Sequence, residues 1–151
     1  MKTSVRKVRS DDWDMILNMR NEREIREVSH NNEIITKDKH YKYMKKLEQM
    51  EHVYQWMITF EDRVVGYVKI IDGEISYMIK KGYRGKGIGN ESFKLVEEEI
   101  KKIGIKKITA SIKVNNEASL KWIQRAGYKK AGIVYNEENF PSEYIMEKIF
   151  T

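Results

Sequence analysis

Arg84, Gly85, Lys86, Gly87, Ile88 and Gly89 stand between a strand-like run, Glu74 to Ile79, and a helix-like run, Asn90 to Ile103. Glycine at every second position lets the backbone gather its N–H groups into one concavity, with no Cβ to hold a phosphate oxygen away. The helix that follows adds unpaired N-terminal N–H groups and the positive end of its dipole. The stretch therefore reads as a cradle for a diphosphate. A dinucleotide fingerprint would need glycine at Asn90, and a Walker-type loop would need Ser or Thr after Gly85-Lys86, where Gly87 stands. A plain glycine-rich turn between strand and helix is the competing explanation.

A second stretch, Val114-Asn115-Asn116-Glu117-Ala118-Ser119-Leu120 through Gly127-Tyr128, joins a strand end, a polar cap and a short helix. A helix starting at Asn116 puts Asn116, Ser119 and Ile123 on one face. Asn116 acting only as an N-cap is an equally physical account.

These residues must be positioned by ordered elements, and hydrophobic periodicity supplies them. Val5 to Arg9 alternates as a short edge strand, Asp11-Asp12-Trp13 caps a helix running to Arg20, and Glu22 to Glu27 forms another. Thr36 caps a third helix, striped by Tyr43, Met44, Leu47 and Met50. Tyr54, Trp56, Ile58 and Phe60 then alternate along a strand, followed by a β-rich run from Val64 to Ile71 broken by Gly66. Asp72-Gly73 signals a hairpin into Glu74 to Ile79. Beyond the glycine loop, Phe93, Val96, Ile100 and Ile103 share one helix face, stopped by Gly104. Ile108, Ala110, Ile112 and Val114 form a strand that should run parallel to its predecessor after the crossover helix. A helix to Ala126 and two strands, Tyr128 to Tyr135 and Tyr144 to Phe150, flanking a loop with Pro141, complete an α+β fold around one mixed sheet.

The totals bound the class. At 151 residues the chain has the size of one domain, residues 1–151, and with a single proline and no repeat it needs no linker. The absence of cysteine rules out disulfides, thiolate metal sites and a cysteine nucleophile. The start lacks an apolar signal region and no run could span a bilayer, so a soluble, cytoplasmic protein without membrane contact is expected. The net charge of +6 favours an anionic partner, yet both signs are interleaved and no nucleic-acid motif appears, so a polyanionic small molecule is expected and nucleic acid is not.

With both motifs in view, the spacing Arg84-x-x-Gly87-x-Gly89 and the run Asn116-x-x-Ser119 to Gly127-Tyr128 resemble the two signatures of the GNAT superfamily of N-acetyltransferases, over about Val5 to Phe150. The resemblance implies a mixed, mostly antiparallel sheet with helices on both faces and a splayed parallel strand pair. It implies acetyl-CoA as co-substrate, with no metal. Arg84, Gly85, Lys86, Gly87, Ile88, Gly89 and Asn90 would hold its diphosphate, the main chain of Tyr77, Met78 and Ile79 its pantetheine, and Asn116 and Ser119 the thiol arm. Acetyl passes directly to an amine in this family. Glu74 is the candidate base, with an exposed hairpin residue as its competing reading, and Ser119 the candidate acid, because the tyrosine many members place one turn further on is Ile123 here; Tyr77 and Tyr128 are further possible acids.

The amino-terminal third normally walls the acceptor. Its pattern of Met19-Arg20-Asn21, Ile25-Arg26 and His40 resembles small acetyltransferases acting on 4-amino nucleotide sugars, although those carry an aromatic residue at Met19. Arg20, Arg26 and His30 would then suit a nucleotide diphosphate, Arg through paired N–H donors; the competing explanation is that Arg20 and Arg26 belong to solvated faces with Glu22, Glu24 and Glu27. The outline also resembles enzymes that acetylate the N-termini of ribosomal proteins, and a non-catalytic CoA-binding module is a third reading. A monomer and a homodimer are both compatible with the sequence.

Overall fold

Two apolar faces have to be covered, because Trp56, Met57 and Ile58 are all buried in consecutive positions of one strand whose side chains alternate sides. A computed structural model, which describes residues 2–29 and 32–151, meets this with one seven-stranded sheet packed by helices on both faces. The strands are β1 (Thr3–Lys7), β2 (Val53–Phe60), β3 (Arg63–Ile71), β4 (Glu74–Ile79), β5 (Lys107–Lys113), β6 (Lys129–Tyr135) and β7 (Pro141–Ile149). The helices are α1 (Trp13–Arg20), α2 (Arg23–Val28), α3 (Lys37–Gln49), α4 (Ile88–Ile103) and α5 (Glu117–Arg125). The sheet order is β1-β2-β3-β4-β5-β7-β6, and only β4 and β5 are parallel neighbours, as a crossover through α4 requires.

On one face α4 and α5 bury Phe93, Val96, Ile100 and Ile123 against Ile58, Val68, Ile75 and Ile108. On the other, α1 and α3 bury Trp13, Ile16, Met19, Met44 and Leu47 against Met57 and Tyr67. Asp12 ties β1 to the start of α1 by a forked pair with Arg6, two contacts of 2.8 Å, and accepts the Arg9 N–H at 2.8 Å. Burial acts to raise its pKa, but those three donors outweigh it and hold the carboxyl below its ordinary range.

The boundaries moved where tertiary contacts decide them. β1 begins at Thr3 and ends at Lys7, because its register partner is Phe60 to Trp56 of β2. β7 starts at Pro141, which pairs with Tyr135, so the expected loop contributes its last residues to the hairpin; proline is tolerated at the first position of a strand. Ile103, expected on the apolar face of α4, is exposed at the end of the helix. Gly66 does not break β3. It sits opposite Ile58 and Ile79, and a Cβ there would lie 2.7 Å from the Met78 carbonyl oxygen, so close approach of β4 is what demands glycine. No helix of the described residues is long and apolar enough to cross a membrane.

Candidate active site: a wedge in the sheet

β4 and β5 pair only at Glu74 and Thr109, where the Thr109 N–H also donates to the Gly73 carbonyl at 2.8 Å. Beyond that point β5 pairs with β7 alone and β4 with β3 alone, so the parallel strands part and leave a wedge open toward Ile79 and Lys113. The hydrogen-bond parity of β4 fixes which groups line it. The Lys80 N–H donates to the Val65 carbonyl, and alternation along an antiparallel pair then turns the main-chain groups of Met78 to β3 and those of Tyr77 and Ile79 to the wedge. Of the three residues expected to offer main chain to pantetheine, Met78 is thus corrected: its peptide groups belong to the β3 ladder. The Ile79 carbonyl is taken as well, by Arg84 Nε at 2.8 Å. The Tyr77 N–H and C=O and the Ile79 N–H remain.

The glycine loop stands at the wide end of this wedge. Gly85 and Gly87 have φ of +73° and +81°, and a Cβ on either would meet nothing within 4 Å. Glycine is therefore needed for the backbone conformation, and the space in front of the loop is open. Gly87 is the N-cap of α4 and makes no side-chain cap bond, so no cap side chain occupies the first N–H groups of the helix. Ile88, wholly buried, anchors the helix start in the core, and Lys86 is exposed beside the loop. Arg84 has structural partners of its own in the loop. Its Nη2 pairs with Glu22 Oε1 at 2.6 Å, and the same oxygen accepts the Lys81 N–H at 3.2 Å, fastening the loop to the α1–α2 connection.

The other signature closes the wedge from the α5 side. Asn116 Oδ1 accepts the Ser119 N–H at 3.3 Å, so Asn116 does cap α5, while the half-buried Ser119 hydroxyl has no protein partner among the described residues. Trp122, which sequence reasoning passed over, donates from Nε1 to Asn90 Oδ1 at 2.6 Å and so clips α5 to the first turn of α4. Tyr77 stacks on Phe93 at 5.2 Å between centroids, and Trp122 meets both rings edge-on. Burial pushes the phenols of Tyr77 and Tyr128 well above the ordinary tyrosine range, and both hydroxyls are buried without a hydrogen-bond partner among the described residues. An i,i+3 rule cannot reveal this cluster, because its members come from β4, α4, α5 and the residue before β6.

The expected catalytic pair is not brought together. Glu74 is exposed at the closed end of the wedge, on the same side of β4 as Ser76 and Met78, whereas Asn116 and Ser119 lie past the open end of β5. Four strand residues separate the ends, about 13 Å at 3.3 Å each. Among the acceptor residues, Arg20 Nη1 lies 3.0 Å from His40 Nδ1. Arg26 spends Nε on the Asn21 carbonyl and Nη1 on the Asn32 carbonyl, a role within its own loop. His30 lies outside the described residues. No group of three or more His, Cys, Asp or Glu that could hold a metal ion occurs among the described residues.

A parallel pair splayed over a glycine-rich helix start defines an acetyltransferase fold. The model of the acetyltransferase (GNAT) domain matches residues 3–129, and the chain belongs to that family. A curated relative, the Probable N-acetyltransferase YjcK of Bacillus subtilis (strain 168), is 31% identical over 101 residues, which make up 60% of this chain and 56% of that protein. The match thus spans little more than half of that relative's length. Among solved structures, a domain from Methanocaldococcus jannaschii DSM 2661 superposes with a TM-score of 0.83 at 28% identity, covering 99% of each chain. A spermidine N-acetyltransferase from Vibrio cholerae, solved with CoA and spermine, superposes with a TM-score of 0.84 at 17% identity, covering 97% of this chain and 95% of that one. At that identity it shows the shared fold.

Proposed function

We propose that this protein transfers acetyl from acetyl-CoA directly to a primary amine, and that the acceptor is a 4-amino sugar linked to a nucleotide. The observation that carries the transfer reading is the wedge itself: the unpaired Tyr77 N–H and C=O and Ile79 N–H, with an open glycine cradle at its mouth. The residues fit the co-substrate, since a diphosphate needs N–H donors without Cβ obstruction, and pantetheine amides need a strand edge without a partner. Acetyl-CoA supplies an activated acyl carbonyl. The loop from Gly85 to Gly89 holds its diphosphate, and Lys86 adds a mobile positive charge. The Tyr77 N–H and C=O and the Ile79 N–H take the pantetheine amides.

Proton handling falls to this chain's own groups. Glu74, exposed to water on the acceptor side but about 13 Å along the strands from the Ser119 end, does not reach the amine itself and takes the ammonium proton only through a chain of waters along the wedge. The Ser119 hydroxyl, which has no protein partner among the described residues, relays a proton from water to the departing thiolate and is reprotonated by that water, while the proton the amine nitrogen sheds on becoming an amide leaves to solvent. Arg20, held on the acceptor side with no carboxylate partner among the described residues, supports an anionic acceptor.

An acetyl-CoA consumption screen over nucleotide-linked amino sugars, peptides with free N-termini and polyamines tests this. Turnover is expected with a nucleotide-linked amino sugar. Activity confined to peptide amines would move the assignment to a protein N-acetyltransferase.

A further inference from the structure

Lys69 lies in the middle of β3, a buried strand where a lysine needs a reason. Its Nζ donates to the Tyr43 hydroxyl at 2.7 Å and sits 4.9 Å from the centroid of that ring. The Arg20 guanidinium lies 5.0 Å from the same centroid. Two cations from β3 and α1 therefore converge on one phenol of α3. No aspartate or glutamate pairs with either among the described residues.

Arg20 is held there by a fixed relay. His40 Nε2 donates to the Trp13 carbonyl at 2.7 Å, which leaves Nδ1 to accept from Arg20 Nη1. Burial lowers the His40 pKa, and the charges of Arg20 and Lys69 lower it further, so the imidazole stays neutral and keeps its acceptor. Asp14, the acid whose charge acts on His40, accepts from the Tyr41 hydroxyl at 2.7 Å, lies 3.8 Å from Lys37 and is exposed. Tyr67, also facing Arg20, spends its hydroxyl on Gln55 Oε1.

The cation pair opens toward the reaction strand. Lys69 and Ser76 are register partners of β3 and β4, so their side chains project to the same side, and Ser76 is exposed although β4 is central in the sheet. α1 reaches β4 at Met78, which packs against the α1 and α3 cluster, yet Ser76, two residues earlier on the same side, stays exposed. Two like charges on one ring, partly desolvated and without a counter-ion, repel each other until an anion joins them.

We infer that Lys69 and Arg20, bridged by Tyr43, form a subsite for an oxyanion, a phosphate or a carboxylate, carried by the acetyl acceptor. This rests on the reading of the chain as an amine acetyltransferase and adds the residues that select the acceptor. The same charges turn polycations away: a polyamine would bring more positive charge to a site that already lacks a partner.

The test uses the full chain saturated with CoA, so that the glycine loop is filled. Inorganic pyrophosphate and, separately, succinate are titrated by calorimetry at constant ionic strength. Saturable binding of at least one is expected, weakened at least tenfold by Lys69→Gln, retained by Lys69→Arg, and unchanged by Lys45→Gln on the exposed side of α3. Whichever probe binds identifies the oxyanion as phosphate or carboxylate. Absence of binding by both probes, or equal affinity in the wild type and Lys69→Gln with near-UV circular dichroism intact, overturns the subsite. For an amine accepted both with and without an anionic group, Lys69→Gln is expected to lower kcat/KM at least tenfold for the anionic form only. An unchanged ratio overturns the subsite while leaving the transferase reading in place, whereas lost pyrophosphate binding without amine turnover upholds the subsite alone.

Discussion

Gly87 separates a conformational requirement from an electrostatic one, and two substitutions there can be worked out in advance. Its φ of +81° and ψ of −3° lie in the left-handed region, and an added Cβ meets nothing within 4 Å. Gly87→Ala therefore costs about 1–2 kcal/mol of backbone strain with no packing term to offset or enlarge it. That corresponds to a melting temperature lower by roughly 2–8 °C for a chain of this size. Gly87→Glu carries the same strain and adds a carboxylate about 5 Å from a bound diphosphate. With an effective dielectric between 20 and 80 the repulsion is roughly 0.8–3.3 kcal/mol per phosphate charge, so two charges give about 1.7–6.6 kcal/mol. CoA affinity should then fall by about fifteenfold at the least. Calorimetric titration of CoA at 0.05 and 0.5 M NaCl separates the two parts, because screening restores some affinity to Gly87→Glu and none of the strain in Gly87→Ala. Equal CoA affinity for Gly87→Glu and Gly87→Ala would refute a diphosphate at this loop.

Three further outcomes follow from the same geometry. Ser119→Ala should lower turnover with acetyl-CoA affinity little changed, measured by steady-state kinetics and calorimetry; normal turnover removes Ser119 as proton donor. Gly66→Ala forces β4 to shift, since the new methyl would lie 2.7 Å from the Met78 carbonyl oxygen; a loss of about 1–3 kcal/mol is expected in urea unfolding. Burial lowers the His40 pKa from 6.5, so the unfolded chain binds the proton more readily, and stability should decline as pH falls below about 6.5 and level off below the folded-state pKa. His40→Gln should flatten that part of the pH–stability curve, and an unaltered slope would show that other groups carry it.

Local pattern was enough for the elements and for the two loops that matter. Glycine at 85, 87 and 89 needs no tertiary contact to make a turn with exposed N–H groups, and the alternation in Tyr54 to Phe60 and Ile108 to Ile112 is a period that only a strand satisfies. The Asn116 cap and the Gly104 stop are likewise local chemistry, and both appear in the structure. The splayed parallel pair was reached through the family resemblance, since no period encodes where two strands part.

What tertiary structure alone decided involves residues far apart in the chain. Arg84 is committed to Glu22, Lys69 to Tyr43, and Trp122 to Asn90, and none of these partners lies within a helical turn or a hairpin of the other. Glu74 and Ser119 each looked suited to proton transfer, yet strand register puts them at opposite ends of the wedge. The main chain of Met78 turned to β3 for an equally non-local reason: the Lys80 to Val65 bond sets the parity of the whole strand. Sequence specified the local conformations because they depend on φ, ψ and periodicity. Packing specified the partners, because a side chain's neighbour is set by how sheet register and helix placement close the core.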